Sequence, residues 1–241
     1  MTNYLFRANN NDSGIYLSKV YGSENKIISI KKSANTQSAI IRLKREMKGL
    51  IWYSDFTGIE HLISCDDLEN YFSLNIKFIK GDKADYRNGY WVNRDFIDKA
   101  LVRYCEIWSN SVNPKIYSHG DFSLDNMIFT NEVPVFIDWE HFSNSILPIG
   151  FDALNLIYEQ LYIYIKKNKL NENVINKVNH QLKTLYSYDC LNECFFKTPL
   201  IKLIELIETN KNIWGNQISK LPVMKITKAQ VKEFDQKVYL N

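Results

Sequence analysis

At 241 residues, 45% of them hydrophobic, the chain can build one substantial core or two closely packed lobes and is too short for several autonomous domains. Thirty Lys and Arg against 27 Asp and Glu leave a net charge of +3, and acidic residues interrupt the basic ones throughout, which argues against a nucleic-acid surface. No long apolar run suits a bilayer crossing and no secretory N terminus is read, so a cytoplasmic protein without a transmembrane segment is expected.

In chain order, the polar stretch 9–14 with its single glycine, Gly14, leads into a strand expected over 15–21. It is no glycine-rich fingerprint and reads first as a hairpin turn. A second strand is expected over 26–32, where period-two alternation puts Ser29 and Lys31 on one face. An amphipathic helix follows over 36–52, with Ile40, Leu43, Met47 and Leu50 at helical spacing and Glu46 close to that stripe. Residues 71–79 read as a strand that enters a turn at Lys80-Gly81-Asp82. Further helices are expected over 94–108, 151–164, 173–185, 195–208 and 229–237.

Between the first two of those helices stands His119-Gly120-Asp121-Phe122-Ser123-Leu124-Asp125-Asn126, followed by two short apolar runs, 127–129 and 135–137. The turn signals of 130–134 make these runs a hairpin, and Asp138-Trp139-Glu140 follows at once. Antiparallel pairing would bring the Asn126 amide oxygen and the Asp138 carboxylate to one edge, a hard-oxygen pair suited to magnesium held against phosphates. Asp121, on a loop that Gly120 allows to turn tightly, is the candidate to receive a hydroxyl proton. His119 reads as a loop organiser that hydrogen-bonds local backbone or Asp138.

The ordered residues His119-Gly120-Asp121, Asn126 and Ile137-Asp138-Trp139-Glu140 resemble the aminoglycoside phosphotransferase and choline kinase superfamily, small-molecule relatives of protein kinases. The resemblance implies an α+β, bilobal protein-kinase-like fold, with a small β-rich nucleotide-binding N-lobe over 1–80 and a mainly helical catalytic and acceptor-binding C-lobe over 81–241. It implies Asp121 as the catalytic base, Asn126 and Asp138 as magnesium ligands, and ATP or GTP as phosphoryl donor. Glu140 would support a second metal or its water shell. Asp152 would brace the catalytic loop, a simple helix cap being the alternative.

By the same resemblance Lys31 is the expected phosphate contact, aligned by Glu46. Lys32 replaces it if a bulge shifts the register. Phe78, Ile79 and Lys80 would line the adenine edge through backbone groups. A sugar or saccharide hydroxyl is the first acceptor expected, with choline, ethanolamine or an aminoglycoside as alternatives. A catalytically inactive kinase-like binding module is the competing class. Tyr162, Tyr164, Glu159, Trp214 and Glu233 are candidate acceptor contacts that serve equally well as packing or surface residues. Cys65, Cys105, Cys190 and Cys194, like His61, His119, His141 and His180, form no compact metal motif, and reduced thiols are expected.

Overall fold

The structure is a computed structural model that describes residues 5–7, 14–83, 95–109, 117–144, 147–167, 169–213 and 226–237. The chain divides into two compact units, a bilobal α+β organisation. The first holds Met1–Lys80 and Ile137–Phe142, and the second holds Gly81–Phe136 and Ser143–Asn241. Residues 137–142, expected to lie with the C-terminal part, are thus counted with the first unit.

The first unit is a five-stranded antiparallel sheet in the order β1-β2-β3-β5-β4, built from β1 (Leu5–Arg7), β2 (Ile15–Tyr21), β3 (Ile27–Ala34), β4 (Leu62–Leu68) and β5 (Tyr71–Lys77). Helix α1 (Gln37–Thr57) covers one face, and Ala39, Ile40 and Leu43 pack with Ile15, Ala34, Phe72 and Leu74. α1 runs five residues past its expected end, because the first left-handed stop is Gly58, whose amide closes on the Ser54 carbonyl. Strand β4 was not anticipated. It is an edge strand, exposed along nearly its whole length, so no hydrophobic alternation announces it.

The returning segment Ile137–Phe142 is anchored by Trp139. Its buried ring lies 5.3 Å from Tyr53, 5.8 Å from Trp52 and 5.9 Å from Phe142, centroid to centroid. The indole can come this close to α1 because Gly49 has no side chain: a Cβ there would sit 2.6 Å from the Trp139 Cβ.

The second unit contains a three-stranded sheet, β6-β8-β9, made of β6 (Asp82–Lys83), β8 (Met127–Thr130) and β9 (Val133–Phe136). A short pair joins β7 (Tyr117–Ser118) to β10 (Ser143–Asn144). Around them stand α2 (Phe96–Ser109), α3 (Phe151–Lys166), α4 (Glu172–Ser187), α5 (Pro199–Thr209) and α6 (Lys228–Lys237). The β8–β9 turn is tighter than expected. Asn131 and Glu132 both take positive φ, a two-residue hairpin turn, and Pro134 is tolerated within β9 because β9 is an edge. α5 starts at Pro199 rather than 195, since proline suits the first helical turn and breaks an interior. Among the described residues no helix is long and apolar enough to cross a membrane.

Candidate active site

In the first unit, β3, α1 and the returning segment bring three charged side chains together. Lys32 Nζ donates to Glu46 Oε1 at 2.6 Å and to Asp138 Oδ1 at 2.7 Å. This corrects the sequence expectation, which paired Glu46 with Lys31. Lys31 lies on the opposite face of β3 and reaches Asp66 at 3.4 Å instead.

The β2–β3 register shifts at Ile28, between Tyr21↔Ile27 and Val20↔Ser29, ahead of the two lysines. The β3–β5 register is continuous from Ser29↔Lys77 to Ala34↔Phe72, and Lys32 sits opposite Leu74, on the face where Ala34, Phe72 and Leu74 meet α1. The deciding residue is Ala34, two positions beyond the expected end of the strand.

One ammonium serves two carboxylates. Burial works against the Lys32 charge, but Asp138 and Glu46 more than reverse it and hold the lysine protonated above its ordinary range. Burial pushes the Glu46 carboxyl up to about 7, with Lys32 pulling it back down. Glu46 is 1% exposed and its Oε2 has no hydrogen-bond partner, so it is the less supported acid of the pair. The Asp138 side chain is 40% exposed. Its φ of 64° puts a non-glycine residue in the left-handed region, which aspartate tolerates better than most residues and which often marks functional positions.

One helical turn before Glu46, Arg42 reaches Glu140 at 3.5 Å, and His141 lies 3.5 Å from the same carboxylate. Burial resists ionisation of Glu140, yet the hydrogen bond from His141, helped by Arg42, keeps its carboxyl below the usual range. Glu140 is therefore tied to α1 and its own neighbour. At the end of β5, the Phe78 amide donates to the Ile28 carbonyl at 3.0 Å, continuing the sheet contact with β3. Of the three expected adenine-edge residues, Phe78 has thus committed its N–H, while Ile79 and Lys80 follow outside any strand. Of the stretch 9–14, all but Gly14 lies outside the described residues, as does Trp214.

In the second unit the loop before β8 carries Asp121 and Asn126. Asn126 Nδ2 donates to both the Asp121 carbonyl and its Oδ2, each at 3.0 Å. Gly120 turns the loop at φ 82°. α3 holds its backbone from below: buried Asp152 accepts the His119 amide at 2.7 Å and the Gly120 amide at 2.9 Å. Asp152 is therefore a loop clamp in this structure, and the end of α3 itself is formed by Gly150 without a side-chain cap. Burial raises its carboxyl to about 7, against the pull of the two amides. The His119 ring is buried edge-on to Phe122, 5.9 Å away, and its Nδ1 has no hydrogen bond. Phe122 in turn packs against Tyr104 and Phe136, fixing the loop from the side away from its backbone bonds.

Among the described residues no three His, Cys, Asp or Glu side chains form a metal cluster on their own. The expected donors, Asn126 in the second unit and Asp138 in the first, suit magnesium chemically. Among the described residues the Asn126 side chain hydrogen-bonds through Nδ2, to the Asp121 carbonyl and carboxylate, and Asp138 offers a substantially exposed carboxylate.

Glu159, expected among acceptor contacts, is buried on α3 and accepts the Leu124 amide at 3.1 Å. Sequence reasoning missed this role. Its signal was the row of Asp152, Asn155 and Glu159, polar at one-face spacing in an otherwise largely apolar helix. Glu233 stands on α6 in an ion pair with Lys237 at 2.6 Å.

No family model matches the sequence, and no curated protein does. Solved structures do. The bifunctional kinase-methyltransferase WbdD aligns with a TM-score of 0.50 at 12% identity, over 96% of this chain and 49% of its own. The chain thus spans about half of WbdD. An aminoglycoside-3'-phosphotransferase of type VIII aligns with a TM-score of 0.50 at 11% identity, over 88% of this chain and 93% of its own. At such identities the likeness is one of fold: a kinase-like α+β architecture, β-rich first and helical after.

Proposed function

We propose that the chain is a magnesium-dependent phosphotransferase of the aminoglycoside phosphotransferase and choline kinase superfamily, moving the γ-phosphoryl group of ATP or GTP to a hydroxyl of a small molecule. The observation that carries this reading is the meeting of Lys32, Glu46 and Asp138, drawn from a strand, a helix and a segment far along the chain, inside one unit. A lone exposed ion pair would mean little. A lysine between a buried helical glutamate and an aspartate next to a hairpin is the arrangement by which kinases hold donor phosphates.

Lys32, aligned by Glu46, presents a fixed positive charge to phosphate oxygens. Asp121 takes the acceptor's hydroxyl proton as the new O–P bond forms and the bond to the leaving diphosphate breaks. Asn126 steadies the Asp121 carboxylate and, with Asp138, would hold magnesium. That ion, when bound, supplies neutralising charge to the phosphates. Ile79 and Lys80 remain the proposed adenine-edge positions.

A saccharide hydroxyl is the acceptor we favour, because a structure matched along most of this chain is named as an aminoglycoside phosphotransferase, and an aminoglycoside is itself a saccharide. The test is phosphoryl transfer from ATP and from GTP to a panel of saccharides, choline, ethanolamine and aminoglycosides, with Asp121→Asn alongside. Turnover lost in that variant, with magnesium-dependent nucleotide binding kept, supports the reading. Nucleotide binding without turnover of any acceptor by the unaltered chain would instead favour a kinase-like binding module.

A further inference from the structure

The loop 119–126 is held by α3 in steps, and its last step is the Glu159 carboxylate. Asp152 takes the amides of His119 and Gly120, Asn155 Nδ2 reaches the Phe122 carbonyl at 3.5 Å, and Glu159 Oε2 takes the Leu124 amide at 3.1 Å. Positions 152, 155 and 159 lie on one stripe of the helix, so the ladder rises along α3 as the loop passes over it. Each step sits within the second unit.

The last step differs from the first in what it supports. Leu124 opens the 3-10 turn Leu124–Asn126, and the residue before it, Ser123, makes no side-chain cap bond. The Asn126 amide closes that turn on the Ser123 carbonyl at 3.0 Å. Glu159 therefore supplies from another helix an acceptor for the first amide of the turn, one of the N-terminal N–H groups that have no acceptor within the turn itself. A carboxylate accepting a backbone N–H is one of the stronger hydrogen bonds available, and this one is largely shielded from water. Moving the turn moves Asn126, and Asn126 holds Asp121 through two bonds of 3.0 Å.

We propose that Glu159 is a positioning residue that sets the separation of Asn126 from Asp121 by fixing the first amide of the turn between them. The assignment of chemistry to those two residues rests on the function proposed above; the clamp itself does not. Asp152 fixes where the loop begins, and Glu159 fixes where it delivers the metal-facing amide. The two buried carboxylates have separate effects, one on the base and one on its neighbour.

The experiment compares Glu159→Ala and Glu159→Gln in the full chain by hydrogen–deuterium exchange over 119–129 and by the magnesium dependence of nucleotide binding and turnover. Glutamine keeps an acceptor oxygen for Leu124 and alanine does not. In the alanine variant exchange in the 124–126 turn should rise about tenfold or more. The magnesium concentration for half-maximal nucleotide binding should rise severalfold, and kcat should fall roughly ten- to hundredfold. The glutamine variant should recover most of both. At saturating magnesium, KM for the nucleotide should stay close to that of the unaltered chain, since Lys32 and Glu46 are untouched.

Unchanged exchange in the alanine variant overturns the proposal, as does a loosened turn with unaltered magnesium dependence. Equal damage in the glutamine variant, with its fold intact by circular dichroism, does the same. If the unaltered chain transfers phosphate to no acceptor, the function proposed above fails, while exchange and magnesium-dependent binding still decide the role of Glu159.

Discussion

Lys32 Nζ and Asp138 Oδ1 lie 2.7 Å apart across 106 positions of sequence, and the lysine's second carboxylate, Glu46, is buried. Replacing Lys32 removes the ammonium that pairs with Glu46 at 2.6 Å and leaves a buried acid with less support. Lys32→Met should lower kcat/KM for the nucleotide by about 10²-fold or more, as removal of a fixed electrostatic donor does elsewhere. Lys31→Met breaks an exposed contact of 3.4 Å with Asp66 and an approach of 6.0 Å to the Tyr71 ring, both away from Glu46 and Asp138, and should stay within roughly twofold. Steady-state kinetics of the two variants, with melting temperatures to monitor folding, check this. Comparable losses in both would remove the distinction between the faces of β3.

Gly49 gives a stability test of the same unit. Alanine is the better helix former by about 1 kcal/mol, so at an unconstrained position Gly49→Ala would stabilise α1. Here the added Cβ meets the Trp139 Cβ at 2.6 Å and its Cγ and Cε3 at 3.0 Å, so the steric term should win. A net loss of about 1–3 kcal/mol is expected from urea unfolding. Because Trp139 follows Asp138 directly, turnover should fall further than stability alone explains. A more stable variant would mean that Trp139 does not pack on α1 as described.

How much of this was legible in the chain depends on the distance over which each feature is decided. Asp121 and Asn126 are five residues apart on one loop, so their order and spacing carry the relationship directly. Lys32 against Lys31 is decided by which face of β3 meets α1. Apolar residues at 27, 28 and 30 fall on both faces, and Ile28 is in fact exposed, so local alternation gave the wrong answer. Ala34, inside the core cluster, resolves it, and it lay outside the expected strand. The returning segment 137–142 was read as part of the C-terminal lobe because its anchor, Trp139 against Gly49, joins positions 90 residues apart. The long helices were found because their apolar stripes are local, with ends moved by Gly58 and Pro199.

Asp152 carries a pH signature. Its folded carboxyl is raised to about 7 from an ordinary 3.8, so the folded state keeps a proton that the unfolded chain gives up. Its contribution is full below about pH 4 and is lost as pH rises through about 7, since stability falls with pH wherever the native state binds more protons. His61 acts oppositely: burial lowers its imidazole to about 4, so its contribution is present above its ordinary 6.5 and is lost as pH falls. Comparison with Asp152→Asn removes the His61 background. Unfolding free energy of the unaltered chain minus that of the variant should decline by a few kcal/mol between pH 4 and 7 and then level off. A difference flat across that range, from urea melts at each pH, would show that burial does not govern this carboxyl.

Asn126→Asp separates two demands on one residue. The replacement keeps a hard oxygen for magnesium and even adds charge, so metal affinity alone predicts tighter binding. It also removes the Nδ2 donor, putting an oxygen where an N–H stood 3.0 Å from Asp121 Oδ2. Two carboxylates at such a distance cannot both ionise readily, and they retain a shared proton to higher pH. Asp121 must be unprotonated to accept the hydroxyl proton, so turnover should fall and the acidic limb of the kcat/KM profile should move to higher pH. Asn126→Ala, which adds no charge, should lose turnover and raise the magnesium requirement without moving that limb. If the limb stays in place in the aspartate variant while the rate falls, Asn126 acts on the metal alone and its bond to Asp121 has no part in the proton transfer.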